Sequence, residues 1–370
     1  MFRYFNNLVF SSFLLLSSAF YPCLGQKMVS KETMQKVYET IKTPYKFGLV
    51  VAPENDHQKT DCPTVFRYKG KWYMTYIVFD GKTGKEGRGY ETLLSESDDL
   101  LHWKSLGKIL SFSDSSHWDC NQKAGYIALV DPDWNGKHKV SRFKGQYWIS
   151  YIGGGSKGYE TPPISIGIAS TSQEISRVHA WNTLPAPVLT SDDADASWWD
   201  NKVLYKSSVI LDRSKTLGHQ FVMYYNAKGA KSDSAQSAER IGIAVSDDML
   251  HWKRYGTNPV LDHHTGITGD AQIKKIGGIW IMFYFGAFWK NKGGAFNRFA
   301  CSYDLVHWTD WTGEDLISPT EPFDNLYAHK PWVVHYKGVV YHFYCALNKK
   351  DQRGIAVATS RDLGKSKIAF

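Results

Sequence analysis

Two sets of polar residues recur at fixed places along this chain, each opening a run of apolar residues. Asp61 opens Asp-Cys-Pro-Thr-Val, Lys206 opens Lys-Ser-Ser-Val-Ile, Asp270 opens Asp-Ala-Gln-Ile, and His329 opens His-Lys-Pro-Trp. The second set opens the next run in each case: Glu91, Glu160, Glu239, then Asn297-Arg298 and Gln352-Arg353. Carboxylates brought together in a partly dry place can divide the work of proton transfer, one held protonated and one ionised. The cations Lys206, Arg240, Arg298, Lys330 and Arg353 fall at or beside the same positions. Two readings stay open for them: anion recognition, of a carboxylate, sulfate or phosphate, or ion pairing within the scaffold. Glu239 has the same two faces, a proton donor or a plain salt-bridge partner of Arg240 or Arg298.

The elements that position these residues repeat. A short strand, a Gly-containing turn and an aromatic strand recur from Asp61, Lys139, Lys206, Asp270 and His329. Each reads as a β-hairpin by its alternation and turn chemistry. A third strand comes after a polar loop, and three of these end in a His-Trp pair: His102-Trp103, His251-Trp252 and His307-Trp308. The pairs read as structural, with Trp packed between sheets. Hairpin, third strand and a short fourth strand make one unit, and five such units predict an all-β, five-bladed β-propeller. One short N-terminal helix is expected from Ser30 to Ile41, with Ser30 as its cap and Met34, Val37, Tyr38 and Ile41 on one face.

Arg3, the apolar run Leu8 to Phe20 and the small residues before Gln26 predict a secretory signal over residues 1–25. Cys23 as a lipidation site is the alternative. Residues 26–44 are then a helical segment and 45–370 the propeller domain, in a secreted or periplasmic protein with no membrane span in its mature form. Net charge is +8, yet no block of five or six like charges exists, which argues against nucleic acid as a partner. Neither a C-x-x-C pair nor an H-E-x-x-H run is present, so no metal site is assigned from motifs. Cys62, Cys120, Cys301 and Cys345 are too few for a disulfide framework in so long a chain.

The S-D-D-L-L-H-W and S-Y-D-L-V-H-W segments resemble those of glycoside hydrolase families 32 and 43. The run from Asp61 to Tyr76 resembles the first blade of families 43, 117 and 130. The resemblance spans roughly Tyr45 to Leu363. It implies an axial pocket and cleavage of a glycosidic bond in a plant, algal or host-type oligosaccharide, with the closed axis favouring exo action. In those families the place of Asp61 carries the base, and family 117 implies Asp270 and His329 in the site, the His as acid. Asp61 as a turn cap before Pro63, and His329 as a satisfied histidine or a ligand of an axial cation, are the plain alternatives. Glu239 is the alternative acid. Lys206 stands where family 43 carries its acidic Glu, and Asp131 or Asp133 are candidates for its second-blade Asp, with a plain turn at Asn135-Gly136 as the alternative. Lys206, Arg240, Arg298, Arg353, Lys330, Glu160, Glu91, Trp134 and Trp199 are the expected substrate contacts, the Trp rings as stacking platforms or as fillers between blades. No cofactor is required, with an axial divalent cation such as calcium as an option. An anionic sugar is the preferred substrate, and a phosphorylase using the cations for phosphate, or a non-catalytic sugar-binding propeller, are the rivals.

Overall fold

Ser30 opens the one regular helix among the described residues. The computed structural model describes residues 28–80, 87, 89–230 and 238–370, so the expected signal segment and Cys23 lie outside the described residues. Helix α1 (Lys31–Ile41) begins where the Ser30 hydroxyl accepts from the Thr33 amide at 3.2 Å. It buries Met34, Val37 and Ile41, while Tyr38 stacks on Trp311 at 5.0 Å. No helix among the described residues is long and apolar enough to cross a membrane.

Everything else is strand and loop. After β1 (Tyr45–Val51) comes an antiparallel meander of β2 (Gln58–Tyr68), β3 (Lys71–Asp80), β4 (Glu91–Ser97) and β5 (Lys104–Leu110). The next holds β6 (Gln122–Ile127), β7 (Tyr147–Gly154), β8 (Ile164–Thr171) and β9 (Asn182–Thr183). It is followed by β10 (Val203–Leu211), β11 (Phe221–Lys228), β12 (Glu239–Ser246) and β13 (Lys253–Arg254), then by β14 (Ile267–Ile276), β15 (Ile279–Trp289), β16 (Lys292–Ser302) and β17 (Thr309–Asp310). The last meander, β18 (Tyr327–Tyr336), β19 (Val339–Leu347) and β20 (Arg353–Thr359), takes β1 as its fourth strand, so the chain's beginning closes its end. Each meander's first strand packs on the next one's, and β18 returns to β2.

Burial follows from this stacking. β7 and β19 are buried at every residue, because each sheet has neighbours on both faces. Large aromatics fill those gaps, which accounts for so aromatic a composition. The His-Trp pairs are structural as expected. In each, the Asp three residues before the His bonds its ring: Asp99 to His102 and Asp248 to His251 at 2.7 Å, Asp304 to His307 at 2.6 Å. Trp103, Trp252 and Trp308 then donate to the carbonyls of Leu100, Met249 and Leu305.

A shared irregularity sets where side chains point. The register of the first strand shifts between Asp61 and Thr64, Leu204 and Ser207, Gly269 and Gln272, and His329 and Trp332. Such bulges insert an extra residue and re-aim the side chains after it. Cys62, Asp270 and Lys330 each take a positive φ at that point, 49°, 58° and 59°.

Candidate active site

The bulges and the starts of the third strands surround one cavity of about 170 Å³. Its lining sets the acids Glu160, Glu239 and Asp270 against Lys206, Lys228, Lys330 and Arg353, with His329 beside them. The volume is small beside the roughly 300–1,000 Å³ of pockets that hold drug-sized ligands, so it suits one small ring rather than an extended oligomer.

Glu239 opens β12 and is buried. The Asn226 amide donates to its Oε1, and Lys228 Nζ stands 3.5 Å from Oε2. Burial lifts its carboxyl from 4.5 to about 7; the negative charges of Glu160 and Asp270 add to the rise, against Lys228 and the Asn226 bond. The Oδ1 of Asn226 also accepts from the Asp270 amide at 3.2 Å, so one amide side chain spaces the two acids. Glu160 lies in the loop before β8 at φ 53°, its amide held by Gln122 Oε1 at 2.8 Å. Its carboxylate has no hydrogen bond or ion pair among the described residues and faces the cavity half-buried.

Asp270 is buried, with Lys206 Nζ at 3.5 Å and the Cys62 thiol at 3.8 Å from Oδ2. Burial raises its pKa, helped by Asp61 and Glu160 and opposed by Lys206 and Lys330. The Lys206 ammonium has no hydrogen-bond partner among the described residues and lies 5.0 Å over the Tyr126 ring.

Asp61 stands behind the lining rather than in it. Its side chain is fully buried; Oδ2 takes Lys330 at 2.8 Å and Arg353 at 2.9 Å, and Oδ1 takes the Cys62 amide at 2.8 Å. Burial alone would raise its pKa, but Lys330 and Arg353 win and hold it far below the carboxylate range. Lys330 and Arg353, which do line the cavity, cover the Asp61 carboxylate, and the turned position that Asp270 and Lys330 occupy in their own strands is held here by Cys62. His329 does line the cavity. Its Nδ1–H donates to the Cys345 carbonyl at 3.2 Å, which fixes the neutral tautomer. Burial, then the charges of Lys330 and Arg353, push it down to about 3 against the pull of Asp61.

Five expected contacts are not brought to the cavity. Arg240 follows Glu239 in the strand, so alternation turns it to the other face, where it meets Asp262 at 2.8 Å and lies 4.9 Å over Trp198. Arg298 lies deeper: Ala295, not Arg298, holds the register of Glu239, and Arg298 pairs with Asp315 at 3.4 Å. Arg353 pairs with the last residue of β19 as Glu239 does with that of β11, so it alone of the three arginines reaches the cavity. Glu91 is taken by Lys108 at 2.6 Å. Trp134 is buried, stacked on His335 at 5.2 Å, and Trp199 is buried on Tyr225 at 5.5 Å, so both are fillers.

Among the described residues, Asp61, His329 and Cys345 bring ligand-type atoms within 4.8 Å of one another. The set does not fit a calcium-like ion, which takes about six to eight oxygens. Here one carboxylate oxygen already carries an ammonium and a guanidinium.

No family model matches this sequence, and no curated protein does. Solved structures do. One described as a complex of BT0996 with RGII and one described as "Glycoside hydrolase" are each 52% identical, with a TM-score of 0.90 over 92% of this chain and 98% of theirs. A thermostable family-43 glycoside hydrolase is 15% identical with a TM-score of 0.58, covering 86% of this chain and 95% of its own. A family 117 glycoside hydrolase of Zobellia galactanivorans, also 15% identical, reaches 0.62 over 87% and 91%. These last two share the fold, of propeller type. The protein is an enzyme of the glycosidase class. It belongs to the glycoside hydrolases, with the two structures at 52% identity as its relatives.

Proposed function

We propose that the protein is an exported, exo-acting glycoside hydrolase built as a five-bladed β-propeller over residues 45–370, behind a signal over 1–25 and a helical segment over 26–44. Glu239 is the general acid and Glu160 the opposing carboxylate. The observation that carries this is the pairing of a buried carboxyl lifted to about 7 with a second carboxylate that faces the same cavity without a partner among the described residues. Glu239 keeps its proton near neutral pH and delivers it to the glycosidic oxygen, while Glu160 works on the opposite face of the ring. His329 is a poor donor, since its proton sits on a backbone carbonyl and burial disfavours the imidazolium. Asp61 serves as the anchor of Lys330 and Arg353, and Asp270 with Lys206 grips the sugar.

The pairing of the lining cations supports a neutral terminal sugar rather than an anionic one. Lys330 and Arg353 share Asp61, Lys206 has Asp270, and Lys228 has Glu239. Each described lining cation thus has a carboxyl group of the protein within 3.5 Å, which supports hydroxyls over a uronate, a sulfate or inorganic phosphate as their further partners. Exo action is supported by the closed floor, where Gln272 and Trp332 bond to backbone across the axis.

The relative in complex with RGII makes an RGII oligosaccharide the first substrate to try. Purified enzyme is expected to release a single monosaccharide from it without phosphate, and Glu160→Gln and Glu239→Gln to abolish release. Full turnover in either variant removes that residue from its role; phosphate-dependent turnover replaces hydrolysis by phosphorolysis.

A further inference from the structure

The mouth of the cavity carries an aromatic that its surroundings do not explain. Phe288 lines the opening and is 51% exposed, although its neighbours on β15 are packed. The register of β15 on β16 shifts between Ala287 and Trp289, where Phe288 stands alone opposite the two residues Gly293 and Gly294 of a bulge in β16. Both flanking residues are fixed. Ala287 pairs with Ile267 and Ala295. Trp289 donates from Nε1 to the Ile267 carbonyl at 2.8 Å and stacks on His263 at 3.8 Å. Phe288 is thereby held at φ 56°, a conformation costly for a bulky residue. Gly266 makes room for it, since a Cβ there would stand 2.1 Å from the Ala287 carbonyl oxygen. Tyr327 supports the ring edge-on at 5.5 Å.

Its place relative to the acid gives the strain a purpose. Glu239 bridges Ile267, Ile267 pairs with Ala287, and Phe288 is next in sequence. Glu160 approaches from the β8 side and Phe288 from the β15 side, with Glu239 on the strand between them. With Glu239 as the acid, the leaving group is expected on the side of Phe288. We infer that Phe288, braced by Tyr327, is the stacking platform for the leaving-group sugar, an unassigned subsite for a neutral pyranose or furanose ring. The inference rests on the reading of Glu239 as acid. An aromatic face against the C–H face of a sugar supplies binding without charge, and a backbone held in strain at a cleft mouth is a recurring mark of a ligand clamp.

The test is calorimetric, with an RGII oligosaccharide and its terminal monosaccharide as separate probes on a Glu239→Gln background. Phe288→Gly is expected to weaken oligosaccharide binding roughly five- to tenfold, leave the monosaccharide unchanged, and raise or preserve the thermal midpoint, because Gly accepts the positive φ. Phe288→Trp is expected to restore affinity to within about twofold. Equal oligosaccharide affinity with and without the ring, or an equal loss for both probes, overturns the subsite. An oligosaccharide that does not bind the Glu239→Gln parent overturns it too. If Glu239→Gln keeps wild-type turnover, the acid assignment fails by itself, and a selective loss at Phe288 still supports the platform.

Discussion

Strand β14 carries a buried ionisable group near each end, and the two ends behave differently. Asp270 sits at the mouth, among four cations and two further carboxylates around an open cavity of about 170 Å³. Four residues on, Lys274 is as deeply buried, but the space beside it is about 10 Å³. Its ammonium donates to the Asp131 carbonyl at 3.0 Å and lies 3.4 Å from His138 Nδ1. His138 in turn donates from Nε2 to the His335 carbonyl at 2.7 Å, and Trp134 closes the end through the Lys275 carbonyl. Burial drops Lys274 to about 8 and His138 to about 4, the latter helped by the Lys274 charge. Perturbed titration therefore marks both ends, yet only one has carboxylates facing free volume. Burial of charge identifies a candidate; room for a reacting atom beside it makes a site.

The comparison breaks first at Glu239. Glu239→Gln is expected to lower kcat about 10²–10⁴-fold with the fold intact, read from initial rates and a melting curve. Wild-type kcat is expected to fall as pH rises through about 7, when the acid loses its proton. The same group works on stability. Its folded pKa lies above the unfolded 4.5, so its stabilisation is complete below 4.5 and is lost as pH rises to about 7. The Gln variant should lack that decline in a pH series of melting midpoints. Retention of the decline would place it on another group.

Asp61 is expected to show the second largest effect, on stability as well as rate. Asp61→Asn leaves Lys330 and Arg353 buried without their shared counter-charge, which costs about 3–5 kcal/mol in denaturant unfolding. Its folded pKa is depressed, so the stabilisation is present above the unfolded 3.8 and fades as pH falls below it. A variant as stable as wild type but slow would return Asp61 to the catalytic role that the family resemblance implied.

Much of this was legible in the residues. The helix from Ser30, four of the five hairpin repeats and the structural His-Trp pairs follow from local chemistry that tertiary packing reinforces; in the second meander the first strand is β6, not the run expected from Lys139, which makes only isolated bridges. Glu160, Glu239 and Arg353 were found because the start of a third strand is readable from where a polar loop ends. Arg240 and Arg298 were misplaced because register finer than two residues decides which face a side chain takes. The bulges hid more, since an inserted residue puts Cys62 rather than Asp61 at the turned position of β2 without any mark in the hydrophobic pattern. Asn226 and Lys228 were missed at the end of an aromatic strand, where an Asn amid Tyr and Phe was the available signal.

The smallest effect expected is at the sealed end. Lys274→Met removes an ammonium that burial penalises and that no carboxylate touches within ion-pair distance among the described residues. Its folded pKa of about 8 lies below the unfolded 10.5, so the wild-type protein gains stability as pH rises from about 8 to 10.5, where only the unfolded form must still release the proton. The Met variant should lose that gain, equal or exceed wild type at pH 7, and keep kcat within about twofold, because nothing at this end reaches the cavity. Melting midpoints at pH 7 and pH 10, with rates on the same samples, decide it. A large fall in kcat with an unchanged midpoint would mean that the two ends of β14 are coupled along the strand, and that the plug helps set the position of Asp270.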